Sequence, residues 1–133
     1  MKTYVLDASA LFIFLQKKPS SEKVSDLLKE AMGDRAEILM SAVNYGEVHG
    51  TIHKEYGPDR AVSVMNAVQP LPIHLVDATP SRACAAAGLK SKYKLYYVDS
   101  FAAALAFEHH ATLVTSDSDF RKLGHHFPVL WLK

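Results

Sequence analysis

Four acidic residues stand where carboxylates could act together. Asp7 and Asp117 each follow an apolar run, Asp99 opens a predicted helix, and Glu47 lies inside another. Carboxylates with an ordinary pKa near 4 are all ionised at neutral pH, so a group of them repels unless protons or a cation offset the charge. Oxygen ligands favour hard cations such as Mg²⁺ or Mn²⁺. The pattern therefore suggests metal-assisted hydrolysis of a phosphodiester.

Each acid also has a simpler interpretation. Asp7, Asp99 and Asp117 all precede or open predicted helices, where an aspartate can cap free backbone N–H groups. Glu47 lies too far inside its helix to be a cap. Two nearby glycines, which have little helix propensity, indicate either close approach of another chain or substrate, or tight packing.

Predicted strands and helices alternate along the chain. The strands are predicted over residues 3–7, 37–40, 71–76, 111–115 and 128–132. At least two are apolar on both faces, which indicates a three-layer α/β/α sandwich around a mostly parallel sheet of about five strands. Pro72 predicts an edge position for the third strand. Because strand ends and following helix starts share one edge of such a sheet, at least three of the four acids should lie there.

Length and composition predict one soluble globular domain over residues 1–133. Hydrophobic residues make up 49% of the chain and charged residues 22%, which argues against disorder. The net charge of +1 gives no general basic field for nucleic acid. No apolar run approaches the roughly 20 residues that span a bilayer, so no membrane association is expected.

The single cysteine, Cys84, cannot form an internal disulfide. It lies among alanines, which predicts a buried, unreactive thiol and weakly favours a reducing, cytoplasmic setting. His49 and His53 have the i,i+4 spacing of a metal pair. The intervening residues lack the glutamate of the metalloprotease motif, and no third ligand is evident. A surface or partly buried histidine pair is therefore favoured over a zinc site.

Basic and aromatic residues alternate over residues 90–97, a segment predicted to be a loop just before Asp99. Cations for phosphates and rings for unstacked bases are what single-stranded RNA requires. A solvated loop is the simpler alternative. The candidate RNA contacts, including two residues shortly after Asp117, are Lys90, Lys92, Tyr93, Lys94, Arg121 and Lys122.

Four segments together resemble a PIN domain of the small type found as VapC toxins in toxin–antitoxin pairs. They are residues 4–10, 44–47, 98–104 and 111–120, in the expected order, and the resemblance extends over almost the whole chain. The resemblance implies that Asp7, Glu47, Asp99 and Asp117 form an acidic quartet that is catalytic and holds Mg²⁺ or Mn²⁺. Asp119 also fits the last motif and is a weaker ligand candidate.

The resemblance also implies surroundings, substrate and partners. Ser9 and Thr115 are expected near the metal, and Asn44 belongs to the same supporting set. The implied activity is an endoribonuclease that cuts single-stranded or loop RNA, usually as a homodimer, and is inhibited by a cognate antitoxin protein.

Other functions fit less well. A phosphotransfer receiver domain needs an acidic pair after the first strand, where only Asp7 is present. A haloacid-dehalogenase-type phosphatase needs a second aspartate at the position of Ser9. The remaining alternative is a catalytically silent module that binds RNA or a protein partner. The presence of all four acids argues against it.

Overall fold

Five strands and seven helices make up the chain, which the computed structural model describes from Met1 to Lys133. The elements are β1 (Lys2–Leu6), α1 (Ala8–Leu15), α2 (Ser21–Met32), β2 (Ala36–Ser41), α3 (Ala42–Tyr56), α4 (Pro58–Val68), β3 (His74–Val76), α5 (Pro80–Tyr93), α6 (Tyr97–Glu108), β4 (Thr112–Thr115), a 3-10 helix (Ser118–Leu123) and β5 (Val129–Trp131).

The strands form one parallel sheet in the order β3-β2-β1-β4-β5. β1 is central, and Tyr4 lies beside Ile38 of β2 and Thr112 of β4. β3 is an edge strand, as predicted, although Pro72 precedes it rather than lying within it. The sheet confirms the expected α/β fold with five parallel strands and brings every strand's carboxyl end to one edge.

Helices cover both faces of the sheet. On one face, Val5 and Leu113 pack with the alanine-rich α6, whose residues from Ser100 to Ala106 are all buried. On the other face, Leu6 and Val114 pack with α1 and α2. Because alanine side chains are short, the α6 backbone lies close to the sheet, which fixes the start of that helix near the strand ends.

The segment predicted as a loop over residues 90–97 is mostly helical. α5 continues to Tyr93, the connection is only Lys94–Tyr96, and Tyr97 already belongs to α6. No glycine or proline interrupts residues 90–93, so nothing in the local sequence ends the helix sooner. Lys94 ends it in the left-handed conformation, with φ of 58°, a role that glycine usually takes.

Cys84 is exposed on α5, so the prediction of a buried thiol was wrong. Ala85 and Ala87 are also exposed, because α5 packs against α6 mainly through Ala86. Runs of small residues do not distinguish a buried helix face from an exposed one.

Two hydroxyl side chains that precede helices play different roles. Thr79 caps α5, because its hydroxyl accepts a hydrogen bond from the Arg82 backbone N–H at 3.2 Å. Ser20 precedes α2, but its hydroxyl makes no cap. It accepts from the Lys133 N–H at 2.7 Å and donates to the Lys133 carbonyl, so it joins the start of α2 to the second residue after β5. None of the helices combines the length and apolar character needed to cross a membrane.

Candidate active site

Asp7 lies directly after β1 and is only 4% exposed. Its Oδ1 accepts hydrogen bonds from the Ala10 N–H at 2.9 Å and the Ser9 hydroxyl at 2.7 Å. Its Oδ2 accepts from the Thr115 hydroxyl at 2.5 Å. Asp7 therefore caps α1 and also presents a fixed carboxylate at the carboxyl edge of the sheet.

The hydroxyls around Asp7 tie the first strand to the fourth. Thr115 Oγ1 accepts from the Asp117 N–H at 2.9 Å, and Ser9 Oγ accepts from the Ser116 N–H at 3.0 Å. Each hydroxyl thus donates to Asp7 and accepts from the backbone that follows β4. This network sets the position of Asp7 relative to Asp117.

Three other carboxylates converge beside this network. Asp99, in the first turn of α6, and Asp117 and Asp119, at the start of the 3-10 helix, each offer an oxygen, and the three oxygens lie within 4.8 Å of one another. Asp117 is also the N-cap of its helix, because Oδ1 accepts from the Asp119 N–H at 2.9 Å. Asp119, the weaker candidate from the sequence, thus belongs to the most compact acidic group in the molecule.

The acids perturb one another. Burial raises the pKa of Asp99 to about 7, with further contributions from the charges of Asp117, Glu47, Asp7 and Asp119. Burial also raises the pKa of Asp7 to about 6, although its hydrogen bonds from Thr115, Ser9 and Ala10 act in the opposite direction. Both desolvation and mutual repulsion therefore disfavour the ionised forms of Asp7 and Asp99.

Glu47 lies in the second turn of α3 and completes the acidic group. Burial raises its pKa, the nearby Asn44 amide lowers it, and the charge of Asp117 raises it further. Its Oε1 is buried and has no hydrogen-bond partner. A Cβ added at Gly46 or Gly50 would meet nothing within 4 Å, so tight packing within the chain does not explain these glycines.

Asn44 connects α3 to the start of α6. Its side chain is 1% exposed, and Nδ2 donates to the Val98 carbonyl at 3.0 Å, next to Asp99. Its Oδ1, like Glu47 Oε1, is buried without a partner. Asn44 therefore holds the two helices that carry Glu47 and Asp99 in a fixed relation.

The donor set fits a hard divalent cation. Two buried oxygens lack a hydrogen-bond donor, three carboxylates converge, and the pKa values of three acids are raised. A buried acceptor without a partner is costly, and a bound cation would satisfy it while offsetting the repulsion. Carboxylate and amide oxygens suit magnesium or manganese rather than zinc.

Lys122 is the only basic group in an ion pair with these acids, and the pair with Asp119 is long, at 3.9 Å. Lys122 Nζ also donates to the Lys94 carbonyl at 3.1 Å, so the connection between α5 and α6 lies beside the acids. Among the predicted RNA contacts, Lys92 lies over the ring of Tyr93 on the last turn of α5, at 5.2 Å. Basic residues therefore flank the acids but do not neutralise them.

Two other features lie apart from the acids. His49 and His53 stack on α3 with ring centroids 6.3 Å apart, and no third ligand joins them. A cavity of about 470 Å³ lies between α5 and α6, and none of the five acids lines it. Its size alone therefore does not locate the functional site.

The structure brings together residues that are far apart in the sequence. The acidic group draws on β1, α3, α6 and the end of β4, with Ser9, Asn44 and Thr115 in the hydrogen-bond network around it. Sequence reasoning missed Trp131, which lies beside Thr115 in the sheet. It is the only tryptophan in the chain, yet nothing in its local sequence indicates which strand it adjoins.

This arrangement is that of a PIN domain, and the chain belongs to that family. The PIN domain family model matches residues 4–126. The matched region includes all five acids and the hydroxyls of Ser9 and Thr115. The family assignment made from four short segments is thereby confirmed.

Several solved structures share the fold. A chain of VapBC2 from Rickettsia felis, bound to a promoter DNA fragment, has a TM-score of 0.76 at 15% identity, with 98% of this chain and 99% of that chain covered. A chain of DNA-bound VapBC from Salmonella typhimurium has a TM-score of 0.72 at 14% identity, with 98% of each chain covered. VapC20 from Mycobacterium tuberculosis gives 0.70 at 13% identity, covering 91% and 95%. No curated protein sequence matches the chain significantly.

Proposed function

We propose that this protein is a divalent-metal-dependent endoribonuclease that hydrolyses RNA phosphodiester bonds, with Mg²⁺ or Mn²⁺ as its cofactor. The observation that carries the proposal is the convergence of Asp99, Asp117 and Asp119 within 4.8 Å, beside a buried Glu47 oxygen that has no hydrogen-bond partner. Like charges held at this spacing fit a cation site better than a set of helix caps.

In this proposal Asp7, Glu47, Asp99 and Asp117 are the catalytic and metal-binding acids, with Asp119 as an additional ligand. Ser9 and Thr115 fix the Asp7 carboxylate by hydrogen bonds, and Asn44 fixes α3 against α6. The bound cation supplies positive charge that lowers the pKa of water and stabilises the phosphorane-like transition state. Ser9, Thr115 and Asn44 contribute by holding the acids in fixed positions.

In this proposal the reaction is hydrolysis rather than attack by the ribose 2′-hydroxyl. The clustered groups are all carboxylates, which suit a divalent cation that activates water. Water adds to phosphorus and the bond to the 3′-oxygen breaks. The products are therefore a 3′-hydroxyl and a 5′-phosphate, and a single 2′-deoxy substitution at the cleavage point should not prevent cutting.

A toxin role within a toxin–antitoxin pair follows from the similar structures. Those from Rickettsia and Salmonella are VapBC assemblies, and VapC20 is described as a toxin that cleaves the sarcin–ricin loop. By analogy, the partners of this chain are RNA, an inhibitory antitoxin protein and a second copy of itself. Lys90, Lys92, Tyr93, Lys94, Arg121 and Lys122 are its proposed RNA contacts.

The test is cleavage of a structured RNA by the wild-type protein and by Asp99→Asn, each with Mn²⁺ and with EDTA. The wild-type protein should cut the RNA in Mn²⁺ but not in EDTA, and the cleavage rate of the variant should be at least a hundredfold lower. Asp26→Asn, on the exposed side of α2, is the matched control and should cut normally. The 5′ ends of the products identify the bond that was broken.

Two outcomes would reject the proposal. Cleavage by folded Asp99→Asn at the wild-type rate would remove the acidic group from the chemistry. Binding of RNA by the wild type without any cleavage in Mg²⁺ or Mn²⁺ would favour the silent binding module.

A further inference from the structure

A groove lies between β5 and the 3-10 helix, the helix whose start carries Asp117 and Asp119. It has a volume of about 390 Å³, and its lining includes Arg121, His125, Pro128 and Trp131. None of these residues takes part in the hydrogen-bond network around Asp7.

The sheet register places this groove one strand from the site. Trp131 is the parallel partner of Thr115, and the Leu132 N–H donates to the Thr115 carbonyl at 2.8 Å. Thr115 in turn donates to Asp7. Paired residues of neighbouring parallel strands point to the same side of the sheet, so Trp131 and Thr115 lie on one face.

The 3-10 helix carries two of the acids at its start and also forms one wall of the groove. Asp117 and Asp119 lie at its start, and Arg121 follows two residues later. The Arg121 guanidinium carbon lies 4.6 Å from the centre of the Trp131 ring, within cation–π distance. An RNA strand bound across Asp117 and Asp119 would therefore also meet Arg121 on the same 3-10 helix and Trp131 on β5.

Arg121 retains a charge that no carboxylate neutralises. Lys122 pairs with Asp119, whereas Arg121 is exposed and forms no ion pair. Five acids repel a polyanion, and a nearby cation that they do not neutralise favours its binding. Guanidinium planes and indole rings also stack with unpaired bases.

We propose that this groove binds one unpaired nucleobase of single-stranded RNA, next to the phosphate that the acidic group cleaves. Trp131 and Arg121 provide the stacking surface, and Arg121 also contacts the adjoining phosphate. The inference rests on the proposed nuclease function and adds a subsite to it. Because stacking tolerates every base, the groove selects unpaired RNA rather than a particular sequence.

The single tryptophan gives a direct test. Wild-type protein in EDTA is titrated with a six-nucleotide oligouridylate and with an abasic oligomer of the same phosphates, while Trp131 fluorescence is recorded. The base-containing oligomer should quench the emission with a saturable curve, and the abasic oligomer should not. This measurement needs no catalysis and no substitution.

Variants test the same contact. Trp131→Leu and Arg121→Gln should each weaken oligouridylate binding about tenfold by fluorescence anisotropy of a labelled oligomer. For cleavage, they should raise KM more than they lower kcat. Arg60→Gln is the matched control, because Arg60 also lies over a ring, that of Tyr56, at 5.7 Å, but on α4. Its affinity should stay at the wild-type value.

The outcomes separate this inference from the nuclease proposal. If the protein cuts RNA but oligomer binding leaves Trp131 emission unchanged, the subsite is wrong and the nuclease function stands. Equal quenching by the abasic oligomer also overturns it, since phosphate alone would then account for binding. If the protein neither binds nor cuts any RNA, both proposals fail.

Discussion

The Thr115 hydroxyl donates a 2.5 Å hydrogen bond to Asp7 Oδ2, from a residue that is fully buried beside the central strand. The Thr115 hydroxyl oxygen in turn accepts a hydrogen bond from the Asp117 N–H. One hydroxyl thus orients both the Asp7 carboxylate after β1 and the backbone of Asp117 after β4. Threonine is suited to this position because its methyl group packs while its hydroxyl bonds.

Thr115→Val keeps the shape of this side chain and removes the hydroxyl. The Asp7 carboxylate and the Asp117 N–H each lose a partner, so the free energy of unfolding should fall by about 1–3 kcal/mol. Mn²⁺ affinity should fall as well, because Asp7 is less well fixed. Urea unfolding and calorimetric titration measure the two effects.

Thr115→Ser is the matched control, since it retains the hydroxyl and loses only a methyl group. It should recover most of the Mn²⁺ affinity. Equal loss of affinity in the serine and valine variants would contradict a role for the hydroxyl.

The metal-free protein should lose stability as the pH rises from about 4 to about 7. The folded-state pKa is raised to about 6 for Asp7 and about 7 for Asp99, so the native state binds more protons than the unfolded chain in this range. Rising pH therefore favours unfolding. For the deeply buried Asp7 the effect corresponds to about 2–3 kcal/mol.

Asp7→Asn isolates that effect. The variant should be more stable than wild type at pH 8, by about 2–3 kcal/mol in EDTA, and should gain little at pH 4. Asp26→Asn should show no such difference between the two pH values. A loss of stability in Asp7→Asn at pH 8 would show that its hydrogen bonds outweigh its burial.

Mn²⁺ binding at pH 6.5 should release protons. The cation binds the ionised carboxylates, and the raised pKa of Asp99 leaves part of that group protonated at this pH. Calorimetric titrations in buffers of different ionisation enthalpy count the protons. Asp99→Asn should release fewer, and a wild-type count of zero at pH 6.5 would contradict the raised pKa.

Lys94→Gly should stabilise the protein by about 0.5–1 kcal/mol, because glycine adopts the left-handed conformation without strain. Lys92→Gly is the matched comparison on the last turn of α5 and should destabilise by up to about 1 kcal/mol. Both changes remove one lysine, so equal loss of RNA affinity with opposite changes in thermal midpoint is expected. Stabilisation by both would show that α5 ends before Lys92.

Residues with strong local signals could be predicted from the sequence. Asp7 and Asp117 follow apolar runs, and the parallel topology brings such strand ends to one edge. The end of α5 was mispredicted because Lys94 takes a cap position without a glycine signal. The pairing of Arg121 with Trp131 depends on how the 3-10 helix packs on β5, which no local pattern encodes.

The central position of β1 has a consequence for protein synthesis. Thr115, the hydrogen-bond partner of Asp7, lies 108 positions further along the chain, and β4 supplies one whole side of β1. A nascent chain on the ribosome therefore carries Asp7, Glu47 and Asp99 without the segment that completes their arrangement. The acidic group therefore cannot assemble until β4 and the segment that follows it have been translated.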